Sequence, residues 1–219
     1  MANIDLERRA EIGRMKRART RAALLETALQ VIQQRGADDP TLEEFMAAAG
    51  VARGTFYNHF QTKDQLLAAA AALVADSIDA QITPLIRSVK DPAQRIATAI
   101  RLFIRLSRER PEWGWVLVRS APGIGAGWSE DMRRGVRADI RSGRRSGRFV
   151  VPSVQAAEAL GMGTLAMAIR TVLVDKTAND FGESIAAMTL QAMGVAHDEA
   201  LRLSIAPIPE LTQRESRQG

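Results

Sequence analysis

Residues 53–63, RGTFYNHFQTK, gather an arginine, a threonine, a tyrosine, an asparagine, a histidine and a lysine in a stretch without a single acid. On a helix, where successive residues lie 100° apart, Phe56 and Phe60 share one face. Gly54, Thr55, Asn58 and His59 occupy the opposite arc, with Tyr57 at its margin and Arg53 at the N-terminal end. The first face is a core anchor; the second is small, polar and hydrogen-bonding. Such an arc suits the major groove of DNA, because close approach excludes bulky apolar groups, base edges require donors and acceptors, and carboxylates would meet phosphate repulsion. Arg53 can read a guanine edge through two hydrogen bonds, and the Thr55 methyl can touch the methyl of thymine. Tyr57 and His59 are long enough to reach phosphates, and Gly54 removes a side chain where backbone and duplex come closest. Lys63 in the first turn of the next helix, and Thr41 at the start of the preceding one, sit where the dipole and free N–H groups favour a phosphate. A solvated surface helix would account for any one of these residues. It would not account for two aromatic anchors, a glycine entry, an acid-free arc and immediate recapping between residues 51 and 67.

These side chains need elements to hold them. Leu24, Leu25, Ala28, Leu29 and Ile32 follow the helical period up to Gly36, a C-cap glycine. After the turn GADDP, Thr41 and Glu44 form a T-x-x-E capping box that opens a short helix carrying Leu42, Phe45, Met46 and Ala49, closed by Gly50. VARG turns into TFYNHF, two helical turns at most, and Thr62 with Gln65 starts a new helix at Lys63. That helix runs at least to Asp79 and ends before, or kinks near, Pro84. Asp91 as cap with Pro92 opens another helix to about Arg108. RPEWGWVLVRSAP, GWSEDMRRGVRADIRSGRRSGRF, Ser153 to Lys176, Asp180 to Met193 and Asp198 to Ile205 supply the remaining helical segments. No run alternates with the strand period, so the expected fold is all-α.

Composition closes several classes. Hydrophobic residues at 46% and charged residues at 25% of 219 exclude a wholly disordered chain. Without cysteine there is no disulfide framework, thiolate zinc site or cysteine nucleophile. Two histidines, His59 and His197, cannot build a multi-histidine metal centre, and no nucleophile motif accompanies either, which leaves little for a helical enzyme. No metal, cofactor or catalytic residue is expected. No apolar run approaches the roughly 18 residues of a membrane span, and MANIDLERRAEIGRMKRARTR lacks the apolar region of a secretory signal, so a cytoplasmic location and no membrane partner are expected. The net charge of +5 permits nucleic-acid binding without proving it.

The order TLEEFMAAAGVARGTFYNHFQTKDQLL, with Thr41, Gly50, Val51, Gly54, Thr55, Tyr57, His59, Phe60, Lys63 and Leu66, resembles the helix-turn-helix domain of TetR-type transcriptional regulators over residues 20 to 67. The resemblance implies a three-helix N-terminal helix-turn-helix domain followed by a larger helical domain for ligand binding and dimerisation. It implies a homodimer whose two reading helices enter successive major grooves, roughly 34 Å apart, on a pseudo-palindromic operator. Repression relieved by a small-molecule effector is implied with it. Two residues depart from the pattern. Glu43 stands where many relatives carry a basic residue, and Met46 replaces a smaller one.

The expected division is a basic N-terminal arm over 1–19, the DNA-binding domain over 20–67, the effector and dimerisation domain over 68–205 and a mobile tail over 206–219. In the arm and just beyond it, Arg8, Arg9, Arg14, Lys16, Arg17, Arg19 and Arg21 outnumber the acids, which fits either phosphate tracking or a solvated helix extension. A second run, Arg133 to Arg148, reads as a solvated helix end, since no aromatic platform interleaves with it. Candidate pocket residues are Phe103, Trp113, Trp115, Trp128, Met132 and Met162, with Arg101, Arg105 or Arg119 as partners for an acidic ligand, although taken singly each is better accounted for as an ordinary core residue. The apolar segments ALGMGTLAMAIRTVLV and IAAMTLQAMG predict a four-helix dimer seam. A protein that compacts DNA without effector or sequence preference would use the same reading surface.

Overall fold

A computed structural model describes residues 2–36, 38–119 and 130–208. Every regular element among them is a helix. The chain divides into two compact units, residues 1–72 and 73–219, with the division falling inside one helix.

In the first unit, α1 (Ala2–Arg35) runs without a break, so the basic segment before residue 20 continues directly into the apolar stripe. Leu24, Ala28 and Ile32 of that stripe are buried, Leu25 and Leu29 are half-buried, Val31 is buried beside them, and α1 packs against α2 (Leu42–Ala49), which buries Phe45. The Thr41 capping box forms as expected: the hydroxyl accepts from the Glu44 N–H at 3.3 Å, and the Glu44 carboxylate accepts from the Thr41 N–H at 2.7 Å. Gly50 adopts φ 61°, and the Gly50 and Val51 N–H groups close back on the Ala47 and Met46 carbonyls. A side chain at Gly50 would meet no atom; its left-handed backbone is what the turn requires. The next helix, α3 (Arg53–Tyr57), is followed by α4 (Lys63–Gln81). The cap of α4 differs slightly from expectation, in that Thr62 accepts from the Gln65 N–H while Gln65 reaches the N–H of Gln61.

The second unit is built round α6 (Pro92–Glu109), which buries Ile96, Ile100, Leu102, Phe103, Ile104 and Leu106. Asp91 caps it by accepting from the Gln94 N–H at 3.2 Å, with Pro92 beside it as the sequence predicts. Against α6 lie α5 (Thr83–Ser88), α7 (Pro111–Arg119), α8 (Glu130–Arg145), α9 (Val154–Val174), α10 (Phe181–Ala192) and α11 (His197–Ile205). Gly143 lets the chain fold back tightly, because a Cβ there would lie 2.1 Å from the Phe149 ring.

Two stretches, Lys63–Ser88 and Val154–Val174, are long and apolar enough to cross a membrane, with a mean hydropathy of 1.4. This differs from the expectation of no such run. Abundant alanine raises the average, and α4 turns Leu66, Ala70, Ala71, Val74, Ala75 and Ile78 inward as a core face. On α9 and α10, by contrast, Leu160, Met167, Val174 and Met188 stand exposed.

Candidate functional site

The reading segment is anchored as its spacing predicts. Phe56 and Phe60 are buried, with ring centroids 6.0 Å apart, and Tyr57 meets Phe56 edge-on at 5.6 Å. Helix α3 is shorter than the 53–60 segment on which the two faces were drawn. Asn58 nevertheless keeps right-handed helical angles, and the His59 and Phe60 N–H groups both donate to the Phe56 carbonyl, so the arc continues through His59. Arg53, Gly54, Tyr57 and Asn58 are exposed, and Thr55 and His59 are half-buried. At Gly54 a Cβ would meet nothing within 4 Å. The fold itself does not require that glycine.

Neighbouring charges tether several of these groups. Glu43 lies 4.0 Å from Arg53, which also reaches over the Tyr57 ring at 5.9 Å. The Thr41 hydroxyl is engaged with Glu44, whose carboxyl is held below its usual range first by the Thr41 backbone N–H and then by that hydroxyl. Lys63 Nζ donates to Asp39 at 2.6 Å and to the Pro40 carbonyl at 3.3 Å.

Beside the reading arc, Arg14, Arg17 and Arg21 of α1 line a shallow basin with Asn58 and His59. Arg17 donates to the Asn58 carbonyl at 2.9 Å, and Arg21 lies 4.6 Å over the Phe60 ring. Burial pushes the His59 imidazole below its ordinary pKa, and the charges of Arg17 and Arg21 push it further. No carboxylate pairs with these three arginines among the described residues.

The second unit encloses a cavity of about 590 Å³. Ile86, Ile96, Ile100, Phe103, Met132, Val136, Met162, Leu165 and Met193 make its walls apolar, and Arg87, Arg95, Asp131, Arg134 and Asp139 bring charge to it. Arg95 donates to Asp139 at 2.7 Å and to the Val89 and Lys90 carbonyls. Burial pushes the Asp139 carboxyl above its usual pKa against the opposing pull of Arg95.

Comparison with known proteins places both units. Residues 24–70 match the model of bacterial regulatory proteins of the tetR family, and residues 91–205, more than half of the chain, match tetracyclin repressor-like C-terminal domains. The chain belongs to the TetR family. The HTH-type transcriptional regulator BetI of Rhizobium meliloti (strain 1021) is 28% identical over 116 residues, 52% of this chain and 55% of BetI. SrpR of Pseudomonas putida is 35% identical over 65 residues, 30% of each chain. The chain thus spans at most about half the length of these curated relatives. The crystal structure of RolR with resorcinol matches at a TM-score of 0.70 and 30% identity, over 90% of this chain and 99% of RolR. AibR in complex with isovaleryl coenzyme A and operator DNA shares the fold, at a TM-score of 0.61 and 18% identity over 80% of this chain.

Within this TetR-family frame, Phe103, Met132 and Met162 line the cavity as expected. Trp113 and Trp115 do not, because α7 packs against α6 and α9 and buries both indoles. Trp128 lies outside the described residues. Arg101 is spent on Glu183 and the Ala206 carbonyl, and Arg105 on Glu109. The arginines that do reach the cavity, Arg87, Arg95 and Arg134, were missed; an arginine at the edge of an apolar stripe carries no sequence signal that distinguishes it from a solvated one. Arg14, Arg17 and Arg21 were noticed as charge, but their convergence on His59 depends on where α1 packs.

Proposed function

We propose that this TetR-family chain is a homodimeric repressor that binds a pseudo-palindromic operator through its reading arc and leaves it when a small molecule fills the cavity of the second unit. The carrying observation is the acid-free arc of Arg53, Gly54, Thr55, Tyr57, Asn58 and His59, held outward by buried Phe56 and Phe60. Gly54 supports the reading independently. A helical glycine costs roughly 0.5 to 1 kcal/mol relative to alanine, and since nothing inside the protein crowds it, close approach by a duplex explains its use.

In this reading Arg53, Thr55 and Asn58 face base edges, while Tyr57, His59, Thr41 and Lys63 face phosphates. Lys63 would exchange Asp39 for a phosphate, and Thr41 would contribute its helix N-terminus more than its hydroxyl. Residues 20–67 would form the reading domain, 1–19 a basic arm and 68–205 the effector and dimerisation domain; the tail expected over 206–219 lies, from residue 209 on, outside the described residues. The exposed Leu160, Met167, Val174 and Met188 of α9 and α10 are the apolar surface a partner protomer would cover. RolR with resorcinol and AibR with isovaleryl coenzyme A and operator DNA supply precedents for both ligands.

The test is selection of bound fragments from genomic DNA, followed by footprinting and a reporter fused to the recovered promoter. Recovery of one inverted-repeat site, with reporter output rising when the gene is deleted, is expected. Equal retention of random and genomic fragments at all salt concentrations would sink the proposal in favour of unspecific DNA compaction.

A further inference from the structure

The cavity is apolar along most of its wall, and of the five charged side chains that line it Arg134 and Asp131 pair with each other, which leaves Arg87, Arg95 and Asp139. Arg95 is committed to protein partners through Nε, Nη1 and Nη2. Asp139, with its side chain 16% exposed, receives Arg95 on Oδ1, and no donor among the described residues engages Oδ2. Arg87 lines the same cavity with no ion-pair partner among the described residues, and its charge is felt at Asp139. A ligand entering here therefore meets a carboxylate oxygen that can only accept and a guanidinium that can only donate.

That combination discriminates by charge. A ligand carboxylate would gain Arg87 but be set against Asp139, and a ligand ammonium would gain Asp139 but be set against Arg87 and Arg95, so either keeps one like-charge contact at a desolvation cost. A hydroxyl does both jobs at once, donating to Asp139 and accepting from Arg87. The remaining wall, with Phe103 and the thioethers of Met132, Met162 and Met193, favours an aromatic body. The volume of about 590 Å³ lies within the roughly 300–1,000 Å³ of sites for drug-sized ligands. It leaves room for more than one small ring.

We propose that the effector is an uncharged, hydroxyl-bearing aromatic molecule larger than a single ring, with its hydroxyl shared between Asp139 and Arg87, and that Asp139 determines specificity. This rests on the effector-responsive reading above. The resorcinol in RolR belongs to the same chemical class as the proposed head group.

The test is calorimetric titration of the full chain, without DNA, with 4-hexylresorcinol, 4-hexylbenzoate and 4-phenylbutylamine. 4-Hexylresorcinol should bind, and the two charged probes should bind at least about tenfold more weakly. Asp139→Asn should lower 4-hexylresorcinol affinity roughly tenfold or more, as loss of a hydrogen bond to a charged group implies. Because Asp139 also holds Arg95, Arg87→Gln, which leaves that pair intact, should weaken binding in the same direction. Met162→Trp, which fills the cavity, should abolish it. Equal binding of a charged probe, indifference to both polar substitutions, persistence in Met162→Trp, or binding by none of the three overturns the proposal. Operator release is measured separately: binding that leaves the operator occupied supports the ligand class and defeats only the release reading.

Discussion

Two stretches of this chain are equally rich in arginine and are used in opposite ways. In the second unit, Arg133 and Arg137 both donate to Glu158, Arg134 pairs with Asp131, and Arg148 bridges Asp91 and Glu199. These contacts hold Glu158 and Asp91 below their usual carboxylate range, chiefly through the hydrogen bonds from Arg137 and Arg148. In the first unit, Arg14, Arg17 and Arg21 converge on His59 with no acid among them. A positive run is thus a poor guide to nucleic acid until its carboxylate partners are counted. Arg133, Arg137 and Arg148 act as struts between separate elements, whereas Arg14, Arg17 and Arg21 have no carboxylate partner among the described residues.

Substitutions can break that contrast. The largest effect is expected from Glu158→Ala, which leaves Arg133 without a carboxylate and Arg137 with Glu130 alone, and should cost about 1 to 3 kcal/mol in denaturant unfolding, without altering base choice by the folded fraction. Loss of operator selectivity in that variant would contradict the division of roles. Arg53→Ala should do the reverse, relaxing choice at particular bases by roughly 1 to 3 kcal/mol with little change in stability; equal losses on operator and random DNA would count against base reading. Gly54→Ala should raise the stability of the free protein by roughly 0.5 to 1 kcal/mol while weakening operator binding, two opposite signs from one methyl group. Arg14→Ala should weaken all duplexes alike and lower the slope of log affinity against log salt by about 0.9, the signature of one phosphate contact.

The smallest effect is a pH dependence. The folded pKa of His59 lies below the unfolded 6.5, so the unfolded chain binds more protons between the two values. The stability this group contributes is complete above 6.5 and is lost as pH falls towards the folded value. His59→Gln should flatten that part of the stability profile. A phosphate in the basin would favour the imidazolium, so operator affinity should rise with acid in the same window and lose that rise in the variant.

Most of the first unit was legible because its signals are local. Thr41 with Glu44, Gly50 and Thr62 each satisfy or terminate a helix end within a few residues, and Phe56 and Phe60 share a face by helical spacing alone. The second unit yielded less. Its tryptophans were plausible ligand contacts by type, and packing of α7 buried them instead. The cavity draws on α5, α6, α8 and α9, and no periodicity reveals which faces of four helices will leave a gap between them.

The sequence by itself determined where helices begin and stop and which side of the 53–60 segment is polar, since both depend on hydrogen bonds and angles spanning four or five residues. Only the tertiary structure decided which arginines have acids opposite them, that Arg17 and Arg21 share a basin with His59, and that Asp139 faces a cavity with no donor to its second oxygen among the described residues. Those outcomes depend on which helices meet, and side chains tens of residues apart in the chain become neighbours only when burial of apolar surface has brought their helices together.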